Sequence, residues 1–495
     1  MTMAQVLKTP SHSLKEFRIL PGYTPSDCNA PNVSLKTKLC CNGDGYLSLH
    51  VPFVSAAMQA VTGGEMAIAL AQLGGIGILP VSQPIDEQCA KISQVKRFKA
   101  GFQTNIQTLA PDQPISEIVE VIRQTGYTTF PVTESGQFHD KLIGILTDKD
   151  FDERRDFDCR VATRMKTDVQ AGTDINDLSA ANELMIRYGR GFLPILSKEG
   201  VLQTVVFKKD LDKHLRHPSE SIDGKKRLLV GAAISTHPED RDRVQALIEH
   251  EVDVLTIDAS DGHTEYQREM IQFIKEHTAV PVIGGNVVTA EGFNFLAAAG
   301  ADAIKVGMGI GSGCTTQEVK ATGRGQGTTL MEIGAARDQW QKDHDVYLPI
   351  IADGGIAGPA EMSVGLALGA DAIMMGNFFA RYTESQGNLV RNAAGEVVKE
   401  YWMEGSMRAH NMRRYAQTKE NFFEEGISGY VPHVGSIHDK LPTIIQMLRA
   451  TLATAGCRTI DELHENAVLE MQSHTALMDS QIHDIVPTNI DQRIL

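Results

Sequence analysis

The chain is poor in cysteine: seven in 495 residues, Cys28, Cys40, Cys41, Cys89, Cys159, Cys314 and Cys457. An odd, thinly spread set excludes the dense disulfide framework of a small secreted scaffold and fits a reducing, intracellular compartment. Cys40 and Cys41 are adjacent, yet no CxxC and no clustered histidine accompanies them, so no metal centre is expected there. Long apolar runs are missing too. Nothing approaches the roughly 18 consecutive apolar residues of a membrane span, and the N-terminus carries no signal-peptide pattern. The terminal Arg493-Ile494-Leu495 is no clear peroxisomal address, so the expected location is cytoplasmic. Positive charge is in deficit: 47 Lys and Arg stand against 62 Asp and Glu, a net charge of −15 with an isoelectric point near 5.5. That balance disfavours nucleic acid and anionic membrane, both polyanionic surfaces. It does not exclude small phosphorylated ligands, because a local site can oppose the global field.

What is present is material for a core: 42% of residues are hydrophobic. At this length a single core stops growing, so one large domain and a smaller one are expected. Two segments share a template, GADAIKVG from Gly300 to Gly307 and GADAIMMG from Gly369 to Gly376, each after an Ala/Leu-rich helical run. The same grammar recurs in VPFVSAAM (51–58), GGIGILP (74–80), LLVGAAI (228–234), VDVLTIDAS (252–260), VPVIGGN (280–286), AIKVGMG (303–309), LPIIADGG (348–355) and AIMMGNF (372–378). These runs are continuously apolar, as parallel strands buried on both faces are. Segments between them, such as EMAIALAQLG and RDRVQALIEHE, carry helical periodicity and supply crossovers. The pattern predicts an α/β fold, a closed (β/α)8 TIM barrel. A doubly wound sheet would place its glycine fingerprint once, after the first strand; here the glycines sit late, after strands five to eight.

Residues 95–225 separate the second strand from the third and are far too many for a loop. They predict an inserted domain between a first barrel part, 1–94, and a second, 226–495, that carries the catalytic loop, a flap and the C-terminal segment. Within the insert, TTFPVTESGQFHDKLIGILTDKDF (128–151) is echoed by RGFLPILSKEGVLQTVVFKKDL (190–211), Pro131 answering Pro194 and Asp150 answering Asp210. This repeat resembles a tandem pair of cystathionine-β-synthase-type (CBS) motifs. The resemblance implies a sandwich that binds nucleotides such as ATP or GTP, with Thr147 and Asp150 at a ribose; Phe207 replaces the threonine in the second repeat. The alternative is that both pairs are ordinary strand-to-helix caps.

Catalytic groups of such barrels sit at the C-terminal ends of strands, and phosphate often binds the loops after the late ones. Strand seven ends in Asp353-Gly354-Gly355 and strand eight in Gly376-Asn377. Strand six opens GMGIGSGCTTQEVKATGRGQG, Gly307 to Gly327, with Ser312 beside Cys314. Glycines let a ligand approach the backbone, and bare NH groups at helix starts favour an anion, so a phosphate needs no Lys/Arg pair here. Asp353 is then expected as an unpaired carboxylate accepting from sugar hydroxyls. Cys314, on a glycine-rich loop next to that phosphate, is the candidate nucleophile, acting as thiolate. The polar segment HNMRRYAQTKENFFEEG, 410–426, lacks a packing face and reads as a moving flap.

At this point GMGIGSGCTTQEV, IADGGI, IGGNVVTAEG, MMGNFFA, KEYWMEGSM and EEGISGYVPHVGSI together resemble the IMP dehydrogenase / GMP reductase family, its dehydrogenases above all, over nearly the whole chain. The resemblance implies NAD-dependent oxidation of inosine 5′-monophosphate (IMP) to xanthosine 5′-monophosphate (XMP) in guanine nucleotide biosynthesis, with K+ and in homotetramers or octamers. It implies that Cys314 adds to C2 of hypoxanthine, that hydride leaves for nicotinamide, and that a covalent thioimidate is then hydrolysed. The first step needs water excluded and the second needs it admitted, which a flap reconciles. Arg414 and Tyr415 match the family's water-activating pair, although arginine is an awkward base, and Thr316 with Glu425 match its auxiliary proton relay. By the same resemblance Ser312, Gly355, Gly376, Asn377 and Tyr401 surround the phosphate, Asp353 meets the ribose, and Met58 and Glu404 meet the base. Asp258, Ser260 and Gly307 belong to the NAD+ site, and His237 stacks on adenine. The carbonyls of Gly309, Gly311 and Cys314 hold K+, completed by Asp479, Ser480 and Gln481 from a neighbouring subunit.

The chain departs from the family at Ala259, where serine is frequent, at Gln59, where aspartate is common, and at Gly313, where a β-branched or apolar residue usually precedes the cysteine. Gly313 is expected to loosen the loop. DSQIHD replaces the frequent EGGxH tail. GMP reductases share the barrel, the cysteine and the purine site but run NADPH-dependent reductive deamination of GMP to IMP without the Arg-Tyr pair. A nucleotide-sensing CBS scaffold with an inert barrel is a further alternative. Intact Cys314, Thr316, Arg414 and Glu425 favour the dehydrogenase.

Overall fold

Eight short apolar segments pair in parallel and close on themselves: β1 Phe53–Ser55, β2 Ile76–Leu79, β3 Val230–Ile234, β4 Val254–Ile257, β5 Val282–Val287, β6 Ala303–Val306, β7 Ile350–Asp353 and β8 Ala372–Met375, with β8 beside β1. Each overlaps one of the predicted runs, and the closed ring is the TIM barrel expected. The structure is a computed structural model and describes residues 4–98, 103, 106–125, 127–175, 178–208, 217–411 and 424–480. After the strands come α1 Gly64–Gln72, α2 Ile85–Phe98, α3 Asp240–Glu249, α4 Glu265–His277, α5 Ala290–Ala299, α6 Gln326–His344, α7 Pro359–Ala367 and α8 Ile437–Thr454. Among the described residues no helix is long and apolar enough to cross a membrane.

The GADA template has a structural cause. Asp253, Asp302 and Asp371 stand immediately before β4, β6 and β8, and each reaches back to the first residue of its neighbouring strand or that strand's start. Their Oδ2 atoms accept Val230 N–H at 2.7 Å, Val282 N–H at 2.8 Å and Ile350 N–H at 2.8 Å. Each carboxylate meets a cation from the helix that leads into that neighbouring strand: Lys96 of α2 at 2.6 Å, Lys275 of α4 at 2.8 Å and Arg337 of α6 at 3.7 Å. Burial pushes the carboxyls of Asp302 and Asp371 up from the ordinary range, and these donors oppose it. The preceding glycine has its own reason. Gly300 ends α5 with φ of 97°, the left-handed conformation that caps a helix before a tight turn.

The barrel interior is filled by Val54, Ile78, Ala233, Val254, Ile283, Ala303, Ile351 and Met374, and Leu39, Cys40 and Leu49 extend the same cluster. Those three come from the antiparallel hairpin of Thr37–Asn42 and Gly45–Leu49, which closes the N-terminal mouth. Thr37 Oγ1 donates to Asp371 O at 2.7 Å and Cys41 N–H to Asp302 O at 2.8 Å. The opposite mouth is left for chemistry.

A second compact unit comprises Arg97–Pro218 and Ile222–Arg227. The sequence reading places the insert at 95–225. The difference lies at its return, because residues 219–221 pack with the barrel: Ser221 N–H donates to Ala71 O at 2.9 Å and Ser221 O accepts from Leu229 N–H at 2.9 Å. Within this unit a helix and an antiparallel strand pair occur twice. Helix Ile115–Thr125 precedes strands Thr129–Thr133 and Leu142–Thr147, and helix Leu178–Tyr188 precedes Phe192–Leu196 and Leu202–Phe207. Pro131 pairs with Ile145 and Pro194 with Val205, so the two prolines noted in the sequence hold equivalent register positions.

Candidate active site

A cavity of about 1030 Å³ opens at the C-terminal ends of the strands. It is lined by Met58 after β1, Asp258 and Ser260 after β4, Gly307 to Ser312 and Cys314 after β6, Asp353 and Gly355 at β7, Gly376 and Asn377 after β8, and by Thr316, Tyr401, Glu404 and Glu425. The structure therefore brings most predicted site residues to one space. Gly307 is glycine of necessity, with φ of 129° and a Cβ that would fall 2.1 Å from Asp353 O.

The cysteine loop is held by residues 425–427, at the C-terminal end of the expected flap. Gly313 O accepts Ile427 N–H at 3.0 Å, and Glu425 O accepts Thr315 N–H at 3.2 Å. Cys314 Sγ lies 3.1 Å from Thr316 Oγ1, which donates to Glu425 Oε2 at 3.1 Å. A hydroxyl has one proton, and Thr316 spends it on the carboxylate, so in this arrangement the thiol donates to Thr316. Glu425 Oε1 meets Lys320 Nζ at 2.6 Å. The result is one line of polar contacts from thiol to hydroxyl to carboxylate to cation.

Gly313 corrects an expectation. It leaves no slack, because a Cβ there would stand 3.0 Å from Met403 Cγ and 3.3 Å from Ile427 Cγ1. Met403 fills the room, lying also against Gly311 and Gly426. Asp353 corrects another. It is not an unpaired carboxylate: its Oδ2 accepts Lys305 Nζ at 2.9 Å and Asn286 Nδ2 at 3.0 Å. Lys305 and Asn286 were missed, although both lie within quoted strand runs, because a lysine in an apolar run carries no sign of its partner.

Around the positions expected to meet the base, Glu404 Oε1 accepts Gln59 N–H at 2.6 Å and Oε2 accepts Ser82 Oγ–H at 2.6 Å. Gln59 also donates to Ser82 O at 2.6 Å and accepts from Trp402 Nε1 at 2.9 Å, so both ends of the amide at this departure are engaged. Burial pushes the Tyr401 phenol up to about 12, keeping its hydroxyl a donor at neutral pH. Gly376 lies beneath it, where a Cβ would approach Met58 Sδ to 2.7 Å and Tyr401 Oη to 3.1 Å. Arg381, also unforeseen, lines the cavity and donates to Asn377 Oδ1 at 2.8 and 3.0 Å. Its signal was present one helical turn after Asn377, in FFAR.

Other predicted residues lie elsewhere. His237 is exposed and is not part of the cavity wall. Asp479 ends a short helix, His474–Asp479, and Ser480 Oγ donates to Leu477 O and accepts from Arg18. In the inserted unit Thr147 N–H and Oγ1 donate to Asp150 Oδ2 at 2.8 and 2.6 Å, closing a turn after strand Leu142–Thr147 that no helix follows. Arg414, Tyr415, Gln481 and Asp210 lie outside the described residues.

Three comparisons bear on this site. The profile of the IMP dehydrogenase / GMP reductase domain matches residues 11–483. The chain is 38% identical over 494 residues to inosine-5′-monophosphate dehydrogenase of Tritrichomonas foetus, covering 98% of both chains, and 38% identical over 448 residues to that of Aquifex aeolicus, covering 89% of both. Among solved structures, a GMP reductase from Trypanosoma brucei in complex with guanosine 5′-monophosphate is similar with a TM-score of 0.83 at 26% identity, over 97% of this chain and 98% of that one.

Proposed function

Since the chain belongs to the IMP dehydrogenase / GMP reductase family, and its curated relatives make it an oxidoreductase, we propose that it oxidises IMP to XMP with NAD+. The observation that carries this reading is the line from Cys314 through Thr316 to Glu425 at a cavity of nucleotide size. The thiol proton passes along it, and sulfur bonds to C2 of the hypoxanthine ring. The electron pair of the C2–H bond leaves as hydride, which NAD+ accepts. Water then adds to C2 of the thioimidate, its proton passes to the Thr316–Glu425 line or to Arg414 and Tyr415, and the C–S bond breaks to release XMP.

In this reading Ser312, Gly355, Gly376, Asn377 and Tyr401 hold the phosphate, Asp353 the ribose and Met58 with Glu404 the base. Asp258, Ser260 and Gly307 face the dinucleotide, with His237 at its adenine. A monovalent cation, K+, suits the carbonyls of Gly309, Gly311 and Cys314. Two of these already accept one bond each, from Gln317 Nε2 at 3.0 Å and Cys314 N–H at 3.0 Å, and each keeps a second lone pair. The assembly proposed is a homotetramer, and the inserted unit a CBS pair that binds ATP or GTP near Thr147 and Asp150.

The GMP reductase neighbour supports a second reading, reductive deamination of GMP with NADPH. Higher identity to dehydrogenases favours oxidation. The test supplies IMP with NAD+, with and without K+, and separately GMP with NADPH, following nicotinamide absorbance. Turnover with the first pair is expected; turnover with the second alone overturns the assignment. Cys314→Ala should abolish XMP formation, and a variant that kept it would remove covalent catalysis from the scheme.

A further inference from the structure

Lys305 sits on β6 with its side chain 5% exposed, deep in a barrel wall of Ala303, Ile304 and Val306. An ammonium there is costly unless paired. Its partners are Asn286 Oδ1 and Asp353 Oδ2. Asn286 comes from β5, and its amide is fully assigned: Nδ2 donates to Gly307 O at 2.7 Å and to Asp353 Oδ2 at 3.0 Å, and Oδ1 accepts from Lys305. Two donors from two neighbouring strands thus converge on one oxygen of a carboxylate at the end of a third. The other oxygen, Oδ1, has no donor among the described residues, and Asp353 lines the cavity. A carboxylate gripped on one side has its second oxygen fixed in direction, and two acceptor lone pairs there match the two hydroxyls of a vicinal diol.

We propose that Lys305 and Asn286 form a clamp that aims Asp353 Oδ1 at the sugar of the bound nucleotide and so sets the preference for ribonucleotides over 2′-deoxyribonucleotides. The inference deepens the reading above and rests on its placing a nucleotide sugar at Asp353. Both are positioning residues that act through Asp353. A site built to hydrogen-bond a hydroxyl rejects the analogue lacking it, because its polar group is left unpaired. Loss of the clamp lets the carboxylate rotate away, so the penalty for the missing hydroxyl shrinks.

The test is titration calorimetry of the full-length protein with IMP and with 2′-deoxy-IMP, for wild type, Lys305→Met, Lys305→Arg and Asn286→Ala, each checked for a cooperative melt. Wild type should prefer IMP by about 100-fold, Lys305→Met should cut that preference by about tenfold or more, and Lys305→Arg should restore most of it. Asn286→Ala, which leaves the buried lysine paired with Asp353, should give an intermediate ratio even if Lys305→Met does not fold. A merely structural role would weaken both ligands equally, and an unchanged ratio in the folded variants overturns the clamp. Turnover with NAD+ is measured in parallel. Wild type that binds IMP with the stated preference but does not oxidise it would overturn the proposed reaction and leave the clamp standing.

Discussion

Met403 shows how one side chain can hold a reactive loop. It lies between Gly311 and Gly313 on the cysteine loop and Gly426 at the end of the expected flap, where a Cβ would fall 2.3 Å from Met403 Cβ. Cys314 and Gly426 form a backbone bridge at that point. Gly426→Ala should therefore shift the cysteine loop and reduce turnover by about tenfold or more, since small misplacements of reacting groups cost rate steeply. Met403→Gly in the same chain should return much of it, and a double-mutant cycle without coupling would show that the two positions act separately. At this scale the sequence was only partly legible. Cys314, Thr316 and Tyr401 were found because their neighbours form motifs. The packing of Met403 and the pairing of Lys305 depend on residues distant in the chain and leave no local mark. For the same reason Gly313 looked like slack and Asp353 like an unpaired carboxylate.

The elements were more legible, and the reason is burial on both faces. A parallel strand packed between barrel interior and helix layer must be apolar throughout, so each stands out as a short continuous run. The repeated GADA segment was read as a helix–turn–strand unit, and the structure adds that its aspartate ties the new strand to the start of its neighbour. Asp371 is the most enclosed case, accepting Ile350 N–H at 2.8 Å and Tyr347 Oη–H at 2.7 Å beside Arg337. Asp371→Ala leaves the Ile350 and Tyr347 donors buried without their acceptor and removes the carboxylate that faces the Arg337 guanidinium, which should cost about 3–5 kcal/mol. Denaturant unfolding monitored by circular dichroism checks this. A loss within about 0.5 kcal/mol, as for an ordinary surface substitution, would show that the strap does not carry the strand pairing. The N-terminal hairpin that closes the barrel is not legible in the sequence, because its strands are partly exposed and carry no barrel grammar.

On the scale of the whole molecule, every barrel strand, every barrel helix but the last two residues of α2, and the entire cavity wall belong to one compact unit. The inserted unit has its own apolar clusters, one around Leu109, Ile118, Phe130, Val132 and Leu146 and another around Ala181, Met185, Leu193 and Val206. Neither cluster shares a residue with the barrel core, which predicts that barrel and insert fold separately. Replacing residues 98–217 by a flexible Gly/Ser linker of about 15 residues, while keeping 219–227 because Ser221 bonds both Ala71 and Leu229, should leave a barrel that melts cooperatively and oxidises IMP with NAD+ at the wild-type rate. Any response to ATP or GTP should disappear with the insert, since the proposed nucleotide contacts, Thr147 and Asp150, go with it. If the excised protein fails to fold, the barrel draws stability from the insert and the division into independent units is wrong. If it folds and still responds to ATP or GTP, the regulatory ligand binds the barrel, and the CBS reading of the repeat around Pro131 and Pro194 loses its function.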